Sequence, residues 1–353
     1  WRKHATCLGM VRESAAYHFW RFARRLCEES LAATADSADR AREWAELAVI
    51  AARHAPGEEE RRAREQGNAI VHLANALRVK GELRAADQTY AEGCKLWDQG
   101  ADDEREPLNE ARVLGFGASL RRAQRRFTEA LELLDRALEV DTGDEAPYLL
   151  LNKAKLLREE GDLEGAVKVL QKSEPVLARL GNSRLIFIAH LNFVDHLSVL
   201  GLLDESRGRL PTVWQLAEDH AGELDRVRLV WIEGRVAAGT GREAEGIAAL
   251  EQVWREFHHR GMAYDAALAA LELAALHLRR GESGKVKALA RQIKPVFESQ
   301  EVHREVLAAL VFFCQAAEQE RATLVFVERL VSYLHRARHN PELRFEPEVT
   351  AIP

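Results

Sequence analysis

Apolar and polar residues alternate along this chain with the three-to-four-residue return of amphipathic helices, interrupted by short turns. Gly161, Gly201, Gly241 and Gly281 mark such turns at intervals of forty residues; Gly81 stands two intervals earlier, with Arg125 roughly midway. Aligned there, "RVKGELRAADQTY", "RAQRRFTEALELL", "REEGDLEGAVKVL", "SVLGLLDESRGRL", "AAGTGREAEGIAAL" and "LRRGESGKVKALA" are six copies in phase. Seven residues before each turn stand Ala74, Ala118, Ala154, Val194, Gly234 and Ala274. Five residues after it come Ala86, Ala130, Ala166, Ser206, Gly246 and Val286. Small side chains at both places let two antiparallel helices approach closely. Four positions further on, Tyr90, Leu134, Leu170, Leu210, Leu250 and Ala290 lie one helical turn along the same face and fill the space between hairpins.

The flanks follow the same plan. Residues 10–33 and 37–55 read as a helix pair with Trp44, Leu47 and Ala48 on one face. Residues 303–318 and 321–338 read as a final pair without a turn glycine. The stretch "DQGADDEREPLNE" at 98–110 is an acidic loop, and the proline-bounded tail "NPELRFEPEVTAIP" does not continue a helix. The expected layout is an N-terminal helical part (1–60), six repeats (61–300), a last helix pair (301–339) and an extended tail (340–353).

This register of small residue, turn glycine, alanine and bulky residue resembles the tetratricopeptide repeat (TPR) over roughly residues 67–300. A standard TPR copy has about 34 residues; copies near forty are similar to the long repeats of some bacterial regulatory TPR proteins. The resemblance implies an all-α, right-handed α-solenoid of about eight antiparallel helix pairs, each burying its apolar face on its neighbours. It also implies a concave groove lined by the first helix of each pair. By register that groove holds Asn68, Val71, Asn75 and Arg78, then Arg112, Ser119 and Arg122, then Tyr148, Leu151, Asn152, Lys155 and Arg158. Leu191, Asn192, Asp195, Arg228, Trp231 and Arg235 extend it. Basic residues outnumber acids there, which favours an acidic or C-terminal carboxylate segment as partner. Asn75 and Asn152 match parts of the TPR carboxylate clamp, whereas Val71, Phe116 and Tyr148 depart from it.

Composition narrows the classes. The 353-residue chain is 47% hydrophobic and 30% charged, enough to bury a large core, and its formal charge of −6 gives no global reason to expect nucleic acid. Cys7, Cys27, Cys94 and Cys314 are dispersed, which fits a reduced, cytoplasmic setting, and the longest apolar runs fall short of a membrane span. The chain begins at Trp1, which leaves open whether a domain or signal segment precedes it. Arg2, Lys3, Arg12, Arg21, Arg24 and Arg25 form a basic start, and Arg121, Arg122, Arg125 and Arg126 a denser basic knot at a helix end.

Candidate chemistry is sparse. "AAGTGREAEGIAAL" looks like a phosphate loop, but it follows a helical pattern and lacks the Lys-Ser/Thr of one. The forty-residue beat accounts for Gly241; Gly239 then reads as a helix-end relaxation and Gly246 as a close-packing site. The histidines form no HExxH motif, and no nucleophile turn is present, so neither enzyme activity, metal nor cofactor is expected. The implied role is a scaffold that binds a protein or peptide in its groove. Two alternatives remain: self-assembly through solenoid ends, with Leu343, Phe345, Val349 and Ile352 docking on a neighbouring copy, and a peptide-sensing module of a larger regulator.

Overall fold

The computed structural model describes residues 2–34, 36–101, 106–142, 145–298, 304–337 and 343–345, in which seventeen α-helices occur and no strand. Two compact units divide the chain, residues 1–156 and 157–353. The first holds α1 (Arg2–Glu13), α2 (Trp20–Ala33), α3 (Ala38–His54), α4 (Glu59–Val79), α5 (Leu83–Gln99), α6 (Glu110–Ala123), α7 (Phe127–Val140) and most of α8 (Ala146–Glu160). The second holds α9 (Leu163–Leu180), α10 (Ser183–Val199), α11 (Leu203–His220), α12 (Glu223–Gly239) and α13 (Glu243–His259). It continues through α14 (Ala263–Arg279), α15 (Ser283–Glu298), α16 (Arg304–Glu318) and α17 (Leu324–Ala337).

The turns show why the chain folds back where it does. Gly81, Gly161, Gly201, Gly241 and Gly281 all have positive φ, between 70° and 104°. After each of them the next N–H reaches back to a carbonyl five residues earlier, as Arg242 N–H does to the Ala237 carbonyl at 2.9 Å. This is the six-to-one bond of a Schellman motif, and it satisfies a carbonyl that the ending helix leaves open. Arg125 (φ 63°) and Glu320 (φ 57°) adopt the same conformation without being glycine, and Arg126 and Arg321 make the corresponding bonds. The last helix pair therefore keeps the motif while lacking the glycine.

Gly181 (φ 67°) and Gly261 (φ 69°) close the second helix of their pairs, a position that the forty-residue reading passed over. From α9 to α14 the helices run 17 or 18 residues with short connections, so the underlying beat is twenty residues. Longer helices, not longer loops, make up the difference from a standard repeat. Helix starts carry their own signals: Ser37, Asn109, Asp162 and Asn182 accept the N–H three residues on.

The small-residue positions are the places of close approach. Ala74, Ala118, Ala154, Val194 and Ala274 are buried, as are Ala86, Ala130, Ala166, Ser206 and Val286. Ser206 Oγ donates to the Val194 carbonyl at 3.1 Å, joining the two positions within one hairpin. In the next hairpin the same pair is Gly234 and Gly246. A Cβ on Gly246 would lie 2.8 Å from the Ala238 Cβ and 2.9 Å from both the Ala238 nitrogen and the Gly234 oxygen. Gly239 is not a relaxed helix end: its Cβ position lies 2.1 Å from Leu203 Cδ1, so the preceding hairpin fills that space.

Two expectations about the flanks change. The helix expected over 10–33 is broken between α1 and α2, where Ser14 and Phe19 are extended and His18 Nε2 donates to the Val11 carbonyl at 2.8 Å. His18 then stacks on His54 of α3, with ring centroids 4.8 Å apart. At the other end, Leu343 and Phe345 pack on α17 of their own chain. Phe345 meets Phe326 and Tyr333, and Tyr333 donates to the Leu343 carbonyl at 3.0 Å. They are thereby engaged within the chain, and Val349 and Ile352 lie outside the described residues.

The two glycines of one turn respond differently to alanine. Gly241→Ala costs about 1 kcal/mol, since open space surrounds the Cβ and only the left-handed φ resists it. Gly246→Ala costs about 2–3 kcal/mol, because backbone atoms stand in the way. Urea unfolding of the two variants measures the difference, and equal losses would contradict it.

Candidate functional site

The first helices of the pairs carry the polar residues that the register singled out. In residues 1–156 these are α4, α6 and α8. Asn68 and Asn75 are buried on α4, and Arg78 is half-buried one turn beyond Asn75. Arg78 Nε and Nη2 both donate to Asn75 Oδ1, at 3.1 and 2.8 Å. Burial, and then the positive charge of Arg122 on α6, push the Arg78 guanidinium down to about 10. No carboxylate pairs with Arg78 among the described residues.

Several cations of this unit pair with carboxylates. Arg112 binds Glu145 at 2.7 Å and also Glu28. Arg24 Nη2 lies 2.5 Å from Glu65, a carboxylate only 3% exposed, and donates to the Glu106 carbonyl. Of the basic start, Arg21 pairs with Glu106 and Arg25 with Glu29, while Arg2 and Lys3 carry no described side chain. In the basic knot Arg121 pairs with Asp87, Arg126 with Glu129, and Arg125 lies over the Phe127 ring. Tyr148 and Lys155 are exposed on α8, and Asn152 is half-buried between them.

In residues 157–353 the same helices build a continuous ladder of alternating charge. Arg158 Nη2 is 2.9 Å from Asp195 Oδ2 on α10, and Asp195 Oδ1 is 2.8 Å from Arg235 Nη1 on α12. Arg235 Nε donates to both oxygens of Glu272 on α14 at 3.0 Å. Glu272 also accepts the Trp231 indole N–H at 2.6 Å, and His335 of α17 approaches it at 3.6 Å. Burial works against both carboxylates, but Arg158 and Arg235 hold Asp195 well below the ordinary range, and Arg235 and His335 hold Glu272 low. Arg235 also lies over the Trp231 ring, 4.4 Å from its centre.

The sequence-assigned positions therefore fall into distinct settings. Asn75, Arg78 and Arg122 come together, and so do Arg158, Arg235 and Trp231 through Asp195 and Glu272. Trp231 is only 5% exposed and meets the Phe257 edge, so it is a core residue with a satisfied N–H. Arg228 is exposed one helical turn before it. Glu65, Glu145 and Glu272 are the partners that the register overlooked. A signal for Glu272 was present: Asp195 follows Arg158 by 37 residues, and Glu272 follows Arg235 by the same 37. That spacing is one repeat less one helical turn.

Two histidines are buried as neutral rings. His72, against the Phe116 ring, is held down to about 3 by burial and by Arg112, opposed by a bond to the Cys27 backbone. His196 is held down to about 4 by burial and Arg158, opposed by Asp195. Neither ring nitrogen of His196 finds a hydrogen-bond partner. Its register neighbours Leu156, Val236 and Leu276 are all apolar.

These groups set an acid limit. Their folded values lie below the unfolded 6.5, so their contribution is complete above pH 6.5 and is lost as pH falls toward about 4 for His196 and about 3 for His72. His196→Leu is expected to raise stability at neutral pH and to flatten the loss between pH 6.5 and 4, read as urea midpoints across pH. Arg235→Met is expected to cost about 3 kcal/mol or more, since it leaves buried carboxylates short of their cation. A midpoint unchanged by Arg235→Met would show that the ladder is not a buried network.

No family model matches the sequence, and no curated protein does. Solved structures do resemble the fold. A Rap protein complexed with Competence and Sporulation Factor aligns over 92% of this chain and 97% of its own, with TM-score 0.57 and 11% identity. Aspartyl phosphate phosphatase F from Bacillus subtilis aligns over 80% and 70%, with TM-score 0.54 and 11% identity. YrrB, a TPR protein with an unusual peptide-binding site, aligns over 52% and 83%, with TM-score 0.38 and 17% identity. At such identities the likeness is one of fold: the chain folds as an α-solenoid of the tetratricopeptide-repeat type.

Proposed function

We propose that the chain is a non-enzymatic interaction module that binds an acidic protein segment on the first-helix faces of residues 1–156. The observation that carries this reading is the Asn75–Arg78–Arg122 group. Arg78 is a half-buried cation whose fork is held by a neutral amide, beside a second guanidinium. A half-buried cation with a like charge nearby is stabilised by an incoming carboxylate, and a preoriented guanidinium loses little freedom on binding one. Asn152 and the exposed Tyr148 and Lys155, on α8, extend the polar character of this unit's first helices. The cations of residues 157–353 are less suited, because Asp195 and Glu272 already occupy Arg158 and Arg235.

The class of function is supported by the Rap protein that shares the fold, which is complexed with a factor. The phosphatase among the neighbours shares the fold at 11% identity, and a fold does not carry an activity with it. Among the described residues no group of three His, Cys, Asp or Glu side chains is placed to hold a metal ion. No described helix is long and apolar enough to cross a membrane.

A peptide library graded by Asp and Glu content, read by fluorescence anisotropy, tests the proposal. Acidic peptides are expected to bind, and Arg78→Gln and Arg122→Gln each to weaken them about tenfold or more with helicity unchanged. Equal binding by both variants and the parent chain, or a preference for basic peptides, would overturn it.

A further inference from the structure

A cleft between α9 and α10 stands apart from the polar faces described above. Its cavity volume is about 60 Å³, and it is partly open to solvent. Leu170, Leu177, Ile186 and Phe193 supply apolar walls, and two polar side chains, Glu174 and His190, enter it. Both positions are apolar in most copies of the repeat. Thirteen residues after the turn the other copies carry Cys94, Leu138, Trp214, Trp254 and Lys294 where Glu174 stands. Eleven residues before the turn they carry Ile70, Leu114, Leu150, Val230 and Ala270 where His190 stands. At the next two joints a tryptophan thus stands opposite an aliphatic residue, half-buried against the local core. Among these copies only the α9–α10 joint has exchanged both positions for polar groups, and the cleft lies there.

The polar groups are held in place with unused capacity. Arg209 of α11 donates to Glu174 Oε1 at 2.6 Å while lying over the Phe193 ring, 4.2 Å from its centre. That contact anchors the carboxylate and leaves Oε2 without a hydrogen-bond partner among the described residues. No hydrogen bond to the His190 ring is found among them either. Pro175, next to Glu174, has no N–H to offer the preceding turn of α9, so the helix is locally loosened at the cleft.

We propose that this cleft binds a small aromatic compound with an N–H donor, of the indole class, its ring taking the place that tryptophan fills at the next two joints. The N–H donates to Glu174, and the ring lies among Leu170, Leu177, Ile186 and Phe193. The chain already makes the same pairing internally, where the Trp231 N–H meets Glu272 at 2.6 Å. At the α13–α14 joint, by contrast, the Trp254 N–H is buried without a partner, so an indole is accepted there for its ring alone. An apolar pocket with one or two convergent polar groups is the usual form of a small-molecule site. The proposal is independent of the acidic-segment reading, which concerns other helices.

Isothermal titration of the full chain with indole, and with indene as the ring lacking N–H, tests it. Indole is expected to bind with Kd below about 1 mM and indene about tenfold more weakly or not at all. Glu174→Trp fills the cleft and is expected to abolish indole binding while raising the melting temperature. Glu174→Leu, the residue type found at Leu138, keeps the packing and is expected to remove the preference for indole over indene. Absence of indole binding to the parent chain, or undiminished binding by Glu174→Trp, would overturn the proposal. So would a preference for indole that survives Glu174→Leu.

Discussion

Everything in this molecule depends on how closely two antiparallel helices approach just before and just after a left-handed turn. The turn residue, with φ near 60–100°, lets the following N–H cap an open carbonyl and reverses the chain within three residues. Reversal alone leaves the helices too far apart to exclude water. Alanine, serine, glycine or valine seven residues before and five residues after bring the two backbones together. In the α12–α13 hairpin the Gly234 oxygen lies 2.9 Å from where a Gly246 Cβ would stand. With the hairpin closed, the next bulky position, Leu134, Leu170, Leu210 or Leu250, is presented to the neighbouring pair and buried there. Repetition then does the rest, since each hairpin offers the same surface to the next.

That constraint explains why the fold was legible and where it was not. Glycines at a forty-residue beat, with small residues at fixed offsets, left little freedom in placing the hairpins. Arg125 and Glu320 show the limit of the signal, because the turn geometry persists where the glycine does not. Gly181 and Gly261 were in plain sight but belong to the interval of twenty, and a search at forty passes over them. The break after α1 had no periodic signature; it depends on His18 reaching the Val11 carbonyl and stacking on His54, contacts specific to that place.

The candidate sites were harder to read, for a physical reason. Register tells which helix face a residue lies on, but not which residue of the next helix it meets. Arg235 was placed on the inner face by its offset from Gly241. Its partners Asp195 and Glu272 sit 40 residues before it and 37 after it, on two different neighbours. A count of positive and negative residues within one column therefore overstates free charge. Glu65, Glu145 and Glu272 lie close enough to cancel Arg24, Arg112 and Arg235. Arg78 escaped cancellation because its neighbour one turn back is Asn75, an amide.

The ladder Arg158–Asp195–Arg235–Glu272 also bears on the order in which hairpins stack. Apolar columns are nearly interchangeable between copies, so hydrophobic burial distinguishes one neighbour from another only weakly. Charges differ in this respect. Taking them from water offsets much of their mutual attraction, and a well-packed apolar substitute would stabilise the fold about as well. Losing one partner is far more costly than the pair is favourable, because the remaining charge stays buried alone. Arg235 is satisfied only when α10 lies on one side of α12 and α14 on the other. A hairpin displaced by one repeat would set Arg235 beside Lys155 in place of Asp195, or Glu272 beside Asp195 in place of Arg235, the residues that stand in the corresponding columns. The buried charges thus penalise wrong stacking where the repeated apolar pattern cannot.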